Sequence, residues 1–488
     1  MIKKLMKAGT FAALLFLAAC SPKSEYTHAL PKNASVVVAM ELDEMAEKAG
    51  LNGASGTKAV DKLKSLVKGG LQGDAARLAE IIIGQPSESG LSFDDKVYLF
   101  ATPHAEALAV LAKVSNEDKL ENLLKALEKE SIADPLREES GCRWTLVGSA
   151  LCAFNNGTFL LMQPAKGDAL SMKGTLLSLM RQEAGEGFTA LPEFAKVEVE
   201  GNDIASVMNL SAVPYEWTTP LRMGLSADIR LEDIKYFVTA NFELGRVVVQ
   251  SESLINNPKV QAFFDTMDQV MQPIEGKYLD YFPGNTLLWA GGNIRGKELY
   301  TMLCQNPAIR QTLNNSVLPV DVEGIFASIE GDFALGVHSL NRGDFMLYAD
   351  VTNSQFLKSF EALRPLLALT GGQISLDNVA PDEYVMHTYY GSFWFGVKAG
   401  RLYVTNRKDW ASEAGRTYGA SLGVKPWAKE VKQNRLYASM NLDAWKSIFF
   451  NLISSINVGM PNWRQVRVEV VLEDEKQNLL QQVVEIFN

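Results

Sequence analysis

Five short segments of this chain recur in the same order roughly 230 to 250 residues downstream, so whatever the first half folds into, the second half is expected to fold into as well. Leu30-Pro31-Lys32-Asn33-Ala34 is echoed by Phe282-Pro283-Gly284-Asn285-Thr286, 252 residues later. Ala112-Lys113-Val114-Ser115-Asn116 is echoed by Ala349-Asp350-Val351-Thr352-Asn353, and Leu120 then matches Leu357 at the same offset. Thr145, Gly148, Ser149 and Gly157 match Thr388, Gly391, Ser392 and Gly400 without a gap. Met208-Asn209-Leu210 and Ala212 match Met440-Asn441-Leu442 and Ala444 at an offset of 232, which carries on to pair Glu243 with Glu475.

The matched segments read as strands that end in a short polar residue and pass into a helix. Val36 to Met40 leads to Asp43, Leu108 to Val114 leads to Ser115, and Val207 to Leu210 leads to Ser211. Leu287 to Ala290 leads to Asn293, Met346 to Val351 leads to Thr352, and Ser439 to Leu442 leads to Asp443. Such side chains accept hydrogen bonds from the first free amides of a helix, worth about 1 kcal/mol each. Asn156-Gly157 and Ala399-Gly400 are expected as two-residue hairpin turns, the first of type I′. Further hairpins are expected from Glu232 to Asn241 with Gly245 to Gln250, and from Val466 to Leu472 with Leu479 to Ile486. Helices are expected at 61–68, 74–83, 116–129 and 173–183. The fold class is therefore α+β: two tandem duplicated domains, each a mostly antiparallel sheet with helices packed on one face. A length of 488 residues suits two such cores better than one. The expected division is a signal peptide at 1–19, a lipidated tether at 20–29, a first domain at 30–277 and a second at 278–488.

The start of the chain is an address. Lys3, Lys4 and Lys7 precede an apolar stretch from Ala8 to Ala19, too short to remain as a spanning helix. It ends in Leu17-Ala18-Ala19-Cys20, the pattern of a bacterial lipobox, with Cys20 as the lipidated residue. With Ser21 rather than Asp after the cysteine, the start resembles that of Gram-negative lipoproteins, and that resemblance implies sorting to the outer membrane, with either the periplasmic or the outer face open to the body. Removing residues 1–19 takes away three lysines and turns a net charge of −10 into −13. Such a surface argues against nucleic acid and is repelled by anionic lipid headgroups, so the membrane partner is reached through lipid alone.

Chemistry-bearing residues are sparse. Four histidines (His28, His104, His338 and His387) stand apart and form no ligand pair, and no acidic loop suggests calcium, so neither metal nor cofactor is expected. His387 corresponds to Trp144 and is expected to pack. Gly53 to Lys58 lacks the order of a phosphate loop and reads as an interhelix linker. Ser392 reads as part of a turn rather than a nucleophile. Strand register places Cys152 opposite Thr145 and turns Cys142 to the other face, against a disulfide. Glu41/Asp43/Glu44, Asp94-Asp95 and Glu473-Asp474-Glu475 read as solvated helix starts and turns. Trp217 and Phe449 match as core aromatics, while Trp394, Trp410 and Trp427 have no aromatic counterparts and could form a platform for sugar or peptide.

With its lipobox, the Leu30 to Val38 opening and the following Leu42, Met45, Lys48-Ala49-Gly50-Leu51 pattern, the chain resembles a family of Bacteroidetes lipoproteins of unknown function. That resemblance implies no catalytic residue, ligand or cofactor. The expected role is a lipid-anchored envelope protein that binds or scaffolds an envelope protein, peptide or glycan. The alternative is an envelope hydrolase acting on polysaccharide or peptide. An active site would show as polar residues converging in one half whose counterparts are apolar, and the longer segment from Lys166 to Glu200 is the first place to look.

Overall fold

Val36–Met40 is the run Val-Val-Val-Ala-Met, β-branched at three positions, and it becomes a strand paired on both sides. A computed structural model describes residues 25–486 except 52–57, 59, 62, 63, 65–72, 104, 105, 214–229, 315–319, 340, 341 and 443–449. The chain is mixed α/β with extensive antiparallel sheet, and it divides into two compact units, 1–212 with 483–488, and 213–482.

In the first unit the strands are β1 (Val36–Met40), β2 (Val97–Ala101), β3 (Ala107–Lys113), β4 (Arg137–Glu139), β5 (Cys142–Val147), β6 (Ala150–Phe154), β7 (Thr158–Pro164) and β8 (Ile204–Asn209). Their ladders, all antiparallel, give the order β8-β1-β2-β3-β7-β6-β5-β4. The second unit begins with β9 (Ile234–Glu243), β10 (Arg246–Ile255) and the short β11 (Met271–Gln272). There follow β12 (Leu288–Arg295), β13 (Ile329–Ser339), β14 (Asp344–Val351), β15 (Ser375–Ala380), β16 (Glu383–Thr388), β17 (Gly391–Lys398) and β18 (Arg401–Thr405). The last three are β19 (Leu436–Asn441), β20 (Ile453–Asn462) and β21 (Gln465–Leu472). Here the order β19-β12-β13-β14-β18-β17-β16-β15 continues beyond β19 through β20, β21, β10 and β9.

Strand for strand, the eight-membered orders coincide. Registers coincide too: Val37 stands opposite Val207 and Phe100, and Trp289 opposite Ser439 and Gly336. Ala109 faces Met162 across β3 and β7, as Met346 faces Thr405 across β14 and β18. The small cores under the helices match as well. Val114, Leu120 and Cys152 are buried together in one unit, and Val351, Leu357 and Phe395 in the other. Glu117–Lys129 shows why that helix forms where it does. Asn116 caps it by accepting from the Lys119 amide at 3.0 Å, Glu117 and Asp118 sit in its first turn, and Leu120 and Leu124 fall on one buried face.

Several local expectations are corrected. The caps sit one residue later than expected, at Asn116 rather than Ser115, and Asn353 accepts from the Gln355 amide where Thr352 was expected. Asp43 lies inside its helix, whose cap residue Glu41 makes no side-chain cap bond. Asn293 does not start a helix. It continues β12 and donates to buried Asp332 at 2.9 Å, a carboxylate that also receives the amides of Glu275 and Lys277. Leu479–Ile486 is a helix, not a strand, because its apolar residues at 479, 480, 483 and 484 recur at helical spacing despite two valines. The closing hairpin is instead β20 with β21. It begins 219 residues after β9 (453 against 234), so Glu243 and Glu475 are not counterparts.

Turn chemistry also exchanged places. Asn155, not an Asn156-Gly157 type I′ pair, closes the β6–β7 loop by accepting from the amides of Gly157 and Thr158. The left-handed pair is Ala399 (φ 50°) and Gly400 (φ 72°) between β17 and β18. Gly391 and Ser392 belong to β17, and the turn before it is Tyr389-Tyr390. At the other end of the chain, Tyr26, Thr27 and Ala29 are buried in the turn Glu25–Ala29, so folded structure reaches back into the expected tether. The packing border falls at 212/213 because β10 pairs with β21, drawing the β9–β10 hairpin into the second unit. Most of the expected helix 61–68 lies outside the described residues.

Candidate functional site

Directly opposite residues in antiparallel ladders share a face, and one such row crosses five strands of the second unit. It runs Trp289 (β12), Ser439 (β19), Asn457 (β20), Glu469 (β21) and Val248 (β10). The next row on that face is Asn441, Ser455, Val471, Arg246 and Glu243. This sheet face is therefore polar over most of its width. At the same places in the strand order of the first unit stand Val37 and Val207, both buried and apolar.

Over this face lies a cavity of about 770 Å³, covered by Leu422, Lys425, Pro426, Trp427 and Glu430 from the segment between β18 and β19. Such a volume falls in the range of about 300–1,000 Å³ typical of small-molecule sites. Trp289 and Trp427 line the cavity as an aromatic wall, and Tyr437 backs Trp427. The indole centroids are 5.9 Å apart, and Trp427 stacks on Tyr437 at 5.6 Å. Gly291 makes room for the wall, because a Cβ there would meet the Trp289 ring at 2.6 Å.

Of the four carboxylates that line the cavity, Glu243 and Glu469 are paired with a guanidinium, and Glu430 and Glu475 are not paired with one among the described residues. Arg246 donates to Glu243 at 2.7 Å and to Glu469 at 2.8 Å, and Arg467 comes within 3.5 Å of Glu469. Burial, helped by repulsion from Glu469, raises the carboxyl pKa of Glu430. Burial also holds the Tyr437 phenol neutral, with Glu430 and Glu469 adding to the shift. Among the described residues ten buried side-chain polar atoms have no hydrogen-bond partner in the protein, and three of them belong to residues of this face: Trp289 Nε1, Tyr437 Oη and Asn457 Oδ1.

The residues singled out from sequence are mostly elsewhere. Cys20 and His104 lie outside the described residues, as do 53–57, Trp217 and Phe449. The expected locus 166–200 borders a separate hollow of about 560 Å³, where Gln182 is occupied with the carbonyl of Leu30. The polar convergence lies instead under 407–433, the segment that corresponds to it. Of the three unmatched tryptophans only Trp427 reaches the cavity. Trp394 and Trp410 pack beside the main core, and Trp289 was missed because it sits in a strand whose pattern reads as plain core. Glu475 lines the cavity from an exposed position, whereas Glu41 pairs with Lys96 and Asp95 with Lys113.

His387 is exposed rather than packed, and its Nδ1 lies 2.7 Å from the Ser392 hydroxyl. Its Nε2 is 3.7 Å from Asp377, whose side chain is 61% exposed. This row on β15, β16 and β17 faces open solvent, which does not enclose a substrate. His338 packs between Phe282 and Trp410, and burial lowers its pKa to about 4. Cys142 and Cys152 are free and buried; Cys152 faces Thr145, and burial pushes its thiol up to about 12. Among the described residues no group of three His, Cys, Asp or Glu is placed to hold a metal ion, and no helix is long and apolar enough to cross a membrane.

Fold and site together define an α+β protein built on antiparallel sheet, with a polar cavity on one sheet face. The chain belongs to the family of the domain of unknown function DUF4836, which matches residues 26–468. No curated protein matches it. Among solved structures it is similar to TP0453 in crystal form I, at 9% identity over 51% of this chain and 88% of that one, with a TM-score of 0.28. Crystal form IV of TP0453 gives 8% identity, 46% and 79% coverage and a TM-score of 0.27. The β subunit of DNA polymerase III from Thermotoga maritima gives 9% identity over 90% and 99%, with a TM-score of 0.10.

Proposed function

We propose that this is a lipid-anchored cell-envelope protein, held at the outer membrane through Cys20, that binds a ligand in the second-unit cavity without transforming it. In this reading the chain is a tandem duplication of one α+β domain with helices on one face of its sheet. The first copy keeps an apolar sheet face, and the second has exchanged it for a binding surface. Repeated strand order and register support the duplication. The observation that carries the binding role is the replacement of Val37 and Val207 by Trp289 and Ser439 under a cavity of small-molecule size.

Purified from native membranes and denatured, the protein should release a small molecule identifiable by mass spectrometry. Ser439→Phe, which fills the cavity floor, should release none. Equal release from both, or none from either, defeats the binding reading.

One observation favours the hydrolase alternative. Glu430 is pushed toward its protonated form while Glu469 is held among guanidinium groups, the contrast expected of an acid and its partner carboxylate. Among the described residues no His or Cys lines the cavity to activate a nucleophile, so a hydrolase here would have to work through these carboxylates.

A further inference from the structure

We infer that the ligand of this cavity is an uncharged saccharide, seated against the aromatic wall with its hydroxyls on the polar sheet face. The inference rests on the reading above that the cavity is the ligand site. It begins with the atoms left without protein partners. Trp289 and Asn457 both line the cavity and are 2% and 3% exposed, and the indole N–H of the first and the amide oxygen of the second are buried without a protein partner. A buried polar group without a partner costs about 1–3 kcal/mol, and native folds keep few of them. A hydroxyl both donates and accepts, so one kind of group on the ligand answers the indole N–H and the amide oxygen alike.

Charge then selects among hydroxyl-rich and amine-rich ligands. Glu243 and Glu469 are already engaged by Arg246, and Arg467 adds a second cation beside Glu469. To reach Glu243 or Glu469 an ammonium group would have to displace a guanidinium at 2.7–2.8 Å, which leaves it Glu430, whose carboxyl burial shifts toward the neutral form, and the exposed Glu475; an anion would meet those same two acids, with Lys425 beside them. A fatty chain would cover Ser439 and the Asn457 amide oxygen without offering them a hydrogen-bond partner, at a cost that apolar contact with two indoles does not offset. A sugar ring has an apolar C–H face and a polar rim, which fits an aromatic wall beside a row of serine, asparagine and carboxylate side chains.

The test uses the full mature chain on a broad printed array of neutral and charged glycans, followed by calorimetry with the best neutral trisaccharide found. Spermidine and dodecanoate are titrated in parallel. Binding with Kd below about 1 mM is expected for a neutral glycan, with a change in tryptophan emission. Trp427→Ala and Asn457→Leu should each weaken it at least tenfold, while Trp410→Phe, outside the cavity, leaves it unchanged. Unaltered melting temperatures certify that the variants fold. If no neutral glycan binds but spermidine, dodecanoate or a charged glycan does, and Trp427→Ala abolishes it, the ligand class is wrong and the binding site stands. If none binds, or binding ignores both cavity variants, the saccharide inference falls. Release of reducing ends that Glu430→Gln removes would uphold the saccharide and overturn the non-catalytic reading.

Discussion

At the scale of single residues, burial decides what each polar group can be. His338 has a folded-state pKa of about 4 because the ring between Phe282 and Trp410 loses water, with Asp344 opposing the shift only in part. The unfolded imidazole titrates near about 6.5. Between these values the unfolded chain binds a proton that the folded chain refuses, so the stability from neutral His338 is full above about pH 6.5 and drains away toward pH 4. His338→Phe keeps the ring and removes the proton. Melting curves from pH 7 to pH 5 should therefore fall less steeply for the variant than for the natural protein. Parallel curves would show that the site is not dry. The same logic of dryness makes Asp332 tolerable inside the second unit: two backbone amides and the Asn293 side chain meet its oxygens.

At the scale of elements, most strands and the long helix were legible, and the errors cluster where local chemistry has two outlets. Val36–Met40 and Glu117–Lys129 were expected within a residue of their observed bounds, because a β-branched run and an amphipathic period each have one good solution. Asn156-Gly157 had a competitor next door in Asn155, whose side chain closed the loop without left-handed backbone. Ala399-Gly400 had none, so an alanine was driven to φ 50° by the β17–β18 register. That conformation costs an alanine about 1 kcal/mol. Ala399→Asn relieves it, and the melting temperature should rise by about 2–4 °C. A fall on thermal denaturation would mean that the turn is held by something other than its own backbone. Asn293 was misplaced for a related reason. Its cap-like signature is indistinguishable in sequence from a strand asparagine that finds a buried carboxylate across the ladder.

At the scale of the whole chain, the proposed anchor and the cavity make separable demands. If Cys20 carries lipid, Cys20→Ala should move the protein from the membrane pellet to the soluble fraction and stop incorporation of labelled palmitate. Its ligand binding should be unchanged, since the cavity lies entirely between Glu243 and Glu475. Retention in the pellet with labelled fatty acid still attached would place the anchor elsewhere.

What could be read along the chain was periodic or local: the recurrence of segments, the strand-to-helix passages and the lipobox-like start. These depend on residues within a turn or a strand of one another, so linear order carries them. The cavity was not legible in that way. Its floor joins β12, β19, β20, β21 and β10, and its cover comes from the segment before β19. Only ladder pairing puts Trp289, Ser439, Asn457 and Glu469 in one row. A period-two pattern tells which residues share a face, not which strands will stand beside them. Folding alone turned scattered serine, asparagine and glutamate residues into one polar surface.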